Sequence, residues 1–309
     1  MMFIVLLAWI FLPGVNQEPI DPIGKLPGVE RIQDVYVVND VPYARDHARQ
    51  VMDVAMPTSH EGLLPVVVII HGGGWAGGDK ADVRPFILPT AQGGCLVISP
   101  NYRLAPSDPA PAAIHDIKHL LHWLDENAEE LGIDRERVAL MGFSAGGHLS
   151  ALAGMTSDTR VLDPPTKDRE KAGRVPVRCV ASIGGPMELT ATFPGGGEAY
   201  VVGWAGPSGR QKGGPRALYS PVRWVSRQDP PILLIHGEAD PIVPLKNIAG
   251  MQSTCSKKDV ICEIHIVEDG EHIPELQTYA MPLMRFLDDH LDSSIQANAA
   301  TKRPPGKKD

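Results

Sequence analysis

Aliphatic runs that end in glycine-bearing turns recur along the chain, and their spacing predicts its architecture. Leu64-Pro65-Val66-Val67-Val68-Ile69-Ile70 and Pro231-Ile232-Leu233-Leu234-Ile235 are nearly unbroken apolar stretches, the pattern of strands buried on both faces. Further strands are predicted near residues 95–100, 137–142 and 178–184, and the alternation from Ile261 to Glu268 adds one near 261–267. Asp34 to Val41 and Arg49 to Met56 read as an antiparallel hairpin. Pro109 to Glu130 carries a helical stripe through Ile114, Ile117, Leu120, Leu121 and Leu124, and Pro274 to Leu291 has a similar stripe. Strands alternating with helices imply an α/β protein whose mostly parallel sheet is covered on both faces.

The turns carry the candidate chemistry. Gly142-Phe143-Ser144-Ala145-Gly146-Gly147 follows the apolar run Val138-Ala139-Leu140-Met141, so a serine stands at the apex of a strand-to-helix turn. Small neighbours allow Ser144 a strained backbone conformation that holds its hydroxyl out above a helix N-terminus. Gly-x-Ser-x-Gly alone is a weak signal and needs support from elsewhere. One support is His71-Gly72-Gly73-Gly74-Trp75, just past a buried strand, where glycines let backbone N–H groups approach a ligand. The bland reading of that triplet is a flexible turn; the sharper one is an oxyanion-hole loop. A second support is His236-Gly237-Glu238-Ala239-Asp240, and a third is Asp269-Gly270-Glu271-His272.

The resulting order of serine, acid and histidine, each beyond the end of a predicted parallel strand, is that of the α/β-hydrolase arrangement. Glu238, Asp240 and Asp269 compete for the acid role on residue pattern alone. His265 lies within a strand, His148 one helical turn after Ser144, and His71 and His236 at the bases of their loops; all four read as structural.

These motifs resemble an α/β-hydrolase-fold esterase with an HGGGW oxyanion loop, close to the acetyl/feruloyl esterase branch known as BD-FAE. Further likeness lies in Asn101-Tyr102-Arg103-Leu104-Ala105-Pro106, in Asp116-Ile117-Lys118 with Trp123, and in Ser220-Pro221 leading to Asp229-Pro230-Pro231. It spans about residues 30 to 290. The resemblance implies Ser144 as nucleophile, Asp240 as acid and His272 as base, with the amides of Gly73, Gly74 and Ala145 forming the oxyanion hole. It implies a small-molecule or saccharide ester as substrate; the acyl-transfer mechanism needs no metal or organic cofactor, and the cysteines are scattered without the close pairs of zinc sites. Glu271 and Ile273 flank the histidine where the family often has small or aromatic residues. Within the same fold, a serine peptidase or amidase shares the acyl-enzyme step, and a non-catalytic binding protein is the reading from another class.

Composition then bounds the picture. At 309 residues and 43% hydrophobic, the chain can bury one sizeable core, here placed at 29–292, with 186–230 as an irregular, cap-like insertion over the carboxyl ends of the strands. A formal charge of −8 argues against nucleic acid or an anionic membrane surface as partner. Aromatic residues are only 6%, which disfavours a long carbohydrate platform and leaves Trp75 and Trp204 as pocket aromatics. Met1 to Leu12 is apolar and too short for a comfortable span, so residues 1–28 read as an export segment and linker, although no Lys or Arg precedes the run. Residues 293–309 read as a disordered tail. Cys255 and Cys262 are close enough in sequence to pair, while Cys95 and Cys179 read as core residues.

Overall fold

A computed structural model of the protein describes residues 28–165, 175–207 and 214–291. The export segment and the tail read from the sequence lie outside the described residues.

The predicted strands form one sheet. Its members are β1 (Glu30–Ile32), β2 (Val35–Pro42), β3 (Val51–Pro57), β4 (Leu64–Ile70), β5 (Leu96–Pro100), β6 (Ile133–Phe143), β7 (Val177–Ile183), β8 (Ile232–Gly237) and β9 (Cys262–Val267). The spatial order is β1-β2-β3-β5-β4-β6-β7-β8-β9. β2 and β3 pair antiparallel as the hairpin pattern predicts, and β3 joins β5 antiparallel. From β5 onward all pairs are parallel.

Seven α-helices are described: α1 (Arg84–Gln92), α2 (Ala112–Asn127), α3 (Ala145–Met155), α4 (Gly197–Ala205), α5 (Pro215–Leu218), α6 (Lys246–Lys257) and α7 (Leu276–Leu291). The two-residue period of β4 divides the core. Val66, Val68 and Ile70 face the layer containing α2, α3, α4 and α6, while Val67 and Ile69 face α1 and α7. Every residue of α3 is buried, and its sequence is apolar or small on nearly all sides, as a helix enclosed by the core requires.

The strand order reverses around β4, because the chain steps from β4 outward to β5 and then crosses back to β6. The loops after β4 and β6 therefore lead away from one another over the carboxyl edge of the sheet, where parallel α/β sheets open a crevice for ligands. The loop after β4 holds the glycine triplet, and that after β6 holds Ser144.

Several details differ from the sequence expectation. Segment 186–230 is not irregular throughout: it carries α4, α5 and a short 3₁₀ turn at Pro221–Arg223. Arg216, fully buried, donates from Nη1 to Glu198 Oε1 at 2.9 Å and from Nε to the Gly206 carbonyl at 3.2 Å, tying α5 to α4. Trp75 and Trp204 are not pocket aromatics. They are 3% and 1% exposed and stack on each other with ring centroids 4.8 Å apart. All four cysteines are free thiols.

Candidate active site

Ser144 joins β6 to α3 with φ 51° and ψ −117°, a conformation that residues with a side chain seldom adopt. Two features hold it there. Its N–H donates to the Ile183 carbonyl at 2.7 Å, and the turn packs so closely on β4 that a Cβ at Gly146 would lie 2.1 Å from the Ile70 oxygen. Only glycine fits at 146, which is the physical content of the Gly-x-Ser-x-Gly spacing.

The chain brings the three predicted side chains together. Ser144 Oγ lies 2.7 Å from His272 Nε2, and His272 Nδ1 lies 2.8 Å from Asp240 Oδ2. With Nδ1–H donating to the carboxylate, Nε2 is left to accept the serine hydroxyl proton. Asp240 is buried, and its other oxygen accepts the backbone N–H groups of Ile242 and Val243 at 2.8 and 2.9 Å. Burial pushes the Asp240 carboxyl up, but the bonds from His272, Val243 and Ile242 outweigh it and hold the group below the usual carboxylate range.

The competing acids are thereby separated: Glu238 and Asp269 are exposed and lie beside each other, with Glu238 Oε2 3.5 Å from the Asp269 amide. His265 meets only the Thr278 carbonyl among the described residues, as a structural histidine would. His236 is closer to the chemistry than its sequence position suggests. Its Nε2 donates to the Val243 carbonyl at 2.8 Å and stands 3.4 Å from Asp240 Oδ2, so it braces the acid loop from below.

Opposite the triad, Gly73, Gly74 and Trp75 have φ of 110°, 60° and 58° in succession, which turns the chain sharply after β4. Among the described residues, the amides of Gly73, Gly74 and Ala145 donate to no protein acceptor. Ala145 opens α3, so its N–H sits at the positive end of the helix.

Several groups fix this loop from behind. The Tyr102 hydroxyl donates to the His71 carbonyl at 3.1 Å, its ring stacks on the His71 imidazole, and Arg49 Nη2 donates to the Gly78 carbonyl at 2.8 Å. Lys80, buried, pairs with buried Asp53 on β3.

Segment 186–230 covers the same edge. Tyr200 on α4, about half exposed, lays its ring against Gly74, and the turn at Gly195–Gly197 packs on the carbonyls of Pro241 and Ile242 in the acid loop. A groove of about 920 Å³ lies elsewhere, between α1 and α7, lined by Phe86, Leu283 and Met284 and by no member of the triad. Among the described residues, no three His, Cys, Asp or Glu side chains gather as a metal site.

A strand-order reversal with a serine elbow on one side and an acid and a histidine loop on the other defines an α/β-hydrolase. More narrowly, the family described as BD-FAE matches residues 52–254, and the chain belongs to it. It is 33% identical over 216 residues to esterase LipC of Mycobacterium tuberculosis, covering 65% of this chain and 51% of that protein. Against esterase LipQ of the same organism it is 28% identical over 220 residues, covering 67% and 49%. The chain thus spans about half the length of these curated relatives. A truncated carbohydrate esterase from gut microbiota superposes with a TM-score of 0.71 at 25% identity, covering 82% of this chain and 96% of that one.

Proposed function

We propose that the protein is a serine carboxylic-ester hydrolase that works through an acyl-enzyme on short-chain acyl esters. One observation carries this: a single imidazole, His272, bridges the Ser144 hydroxyl and the buried Asp240 carboxylate. The relatives named esterases and the carbohydrate esterase of like fold support the same chemistry.

In this mechanism the Ser144 oxygen attacks the ester carbonyl as its proton passes to His272 Nε2. Asp240 stabilises the imidazolium that forms. The carbonyl oxygen takes up negative charge facing the unpaired amides of Gly73, Gly74 and Ala145, each donor worth about 10²–10³ in turnover. His272 returns the proton to the leaving alkoxide as the tetrahedral intermediate collapses, which releases the alcohol and leaves an acyl-Ser144. Water then attacks with His272 as base, freeing the acid and restoring the serine.

The likeness to a carbohydrate esterase supports a saccharide ester as substrate, and the motif resemblance extends the proposal to acetyl or feruloyl groups on plant polysaccharide. The apolar Met1–Leu12 run favours export of the enzyme.

Nitrophenyl esters of graded acyl length, with acetylated xylan and feruloylated oligosaccharides, test this reading. Acetate or butyrate esters should be turned over, and Ser144→Ala should abolish the rate while the far-UV dichroism stays unchanged. Turnover of aminoacyl anilides alone would instead make the protein an amidase. No turnover of any substrate would leave a binding protein.

A further inference from the structure

Trp75 is the third consecutive residue with positive φ in the oxyanion loop, and it is not a glycine. A left-handed backbone at a bulky residue is strained and persists only where the surroundings over-determine it. Its side chain supplies that restraint. The indole is buried, stacked at 12° on Trp204, and donates from Nε1 to His148 Nδ1 at 3.2 Å. His148 is fully buried on α3, one turn below Ser144, and its Nε2–H donates to the Tyr219 carbonyl at 2.7 Å. The imidazole edge also meets the Trp75 and Trp204 rings at 89° and 82°. One side chain therefore joins the oxyanion loop, the helix that carries the nucleophile, and the 186–230 segment.

This arrangement has a defined protonation state. Nδ1 accepts and Nε2 donates, so the ring is the neutral Nε2–H tautomer. A proton on Nδ1 would face the indole N–H and break the link. Burial pushes the His148 imidazole down to about 4, which keeps it in the accepting form across the neutral range.

We infer that His148 is a positioning residue for the ester hydrolysis proposed above: through Trp75 it holds the Gly73–Gly74 amides in the strained conformation that faces the developing oxyanion. The role is separate from that of His272, which exchanges the proton. It rests on the ester-hydrolase reading, so its test includes a measurement that does not depend on turnover.

The experiment compares Trp75→Phe, His148→Phe, their double variant and His148→Gln in the full chain. With a nitrophenyl butyrate probe, each Phe variant should lose about 10- to 100-fold in kcat while KM stays within about threefold, because the restrained amides act in the transition state. The double variant should be no worse than the poorer single one, since both cut the same link. His148→Gln, which can both accept from the indole and donate to Tyr219, should recover most of the rate. Amide hydrogen exchange over residues 73–77 should be at least tenfold faster in the Phe variants.

A folded His148→Phe protein with kcat within twofold of the parent, or single effects that multiply, would overturn the inference. If His148→Phe does not fold, unchanged exchange in Trp75→Phe would overturn it and faster exchange would support it. If the parent turns over no ester, the ester-hydrolase reading fails by itself, and the exchange data still decide whether His148 restrains the loop.

Discussion

Asp240 shows how a buried carboxyl group is kept ionised. Three hydrogen-bond donors reach it in its buried position, and together they offset the desolvation that would otherwise protonate it. Replacing it by Asn keeps the shape but lets the amide impose the wrong imidazole tautomer. We expect Asp240→Asn to lower kcat by about 10³–10⁴, as in comparable triads, with the unfolding midpoint nearly unchanged. Steady-state kinetics with a nitrophenyl ester would measure it. This residue also marks a limit of sequence reading. Within His236-Gly237-Glu238-Ala239-Asp240, nothing in the pattern says which acid turns inward; burial and the Ile242 and Val243 amides decide it, and those belong to the folded turn. Ser144 was legible because its spacing encodes a packing constraint, the close approach of Gly146 to β4.

At the scale of elements, the loop from Gly72 to Lys80 behaves as a tethered strap. Its far end is held by the buried Lys80–Asp53 pair, which links the 3₁₀ turn at Lys80–Val83 to β3. Removing one partner of a buried pair leaves an uncompensated charge, which costs about 3–5 kcal/mol. Lys80→Met should fall at the lower end, about 3 kcal/mol, because Arg84 Nη2 remains 3.7 Å from the second Asp53 oxygen. Adding Asp53→Leu should recover much of the loss. Urea unfolding of the single and double variants measures both.

The elements that escaped the sequence did so for physical reasons. α1 contains Pro85 in its first turn and Pro89 in its interior, which disguise a helix made by tertiary packing of Ile87 and Ala91. The three residues of β1 are all exposed and carry no apolar period. Trp75 and Trp204 looked like ligand-facing aromatics because a glycine-rich loop gives no hint that its tryptophan folds inward.

Across the whole molecule, acid stability follows from histidines buried without charge. His71 and His148 are fully buried, and desolvation lowers each from 6.5 to about 4. The folded form keeps both neutral, whereas the unfolded chain takes up protons below its ordinary histidine range. Their stabilisation is therefore complete above about pH 7 and is lost as pH falls through 6.5 toward 4, about 3 kcal/mol for each. Urea midpoints should drop steeply between pH 7 and pH 4.5; a flat profile would mean that both rings charge freely in the fold. At this scale the sequence was most informative, since continuous runs against alternating ones distinguish strands buried on both faces from the partly exposed edge strand β9.

The Ser144–His272–Asp240 triad is assembled from opposite sides of one strand. Ser144 and the free amides arise beside β4 and β6, whereas Asp240 and His272 arise beyond β8 and β9, and β7 lies between the two groups. The chain leaves β7 at Gly184, with φ 64°, and a Cβ there would lie 2.4 Å from the His272 carbonyl oxygen. The gap across which a proton would travel in the proposed mechanism is thus gauged by close main-chain contact between Gly184 and His272. A single added methyl at residue 184 should prise the base from the hydroxyl and cut kcat by at least about tenfold in a protein that still folds, the rate being sensitive to misplacement on the ångström scale. Kinetics and thermal melts of Gly184→Ala would show the two effects apart. The proposed catalysis is then hostage to a position that itself bears no functional group.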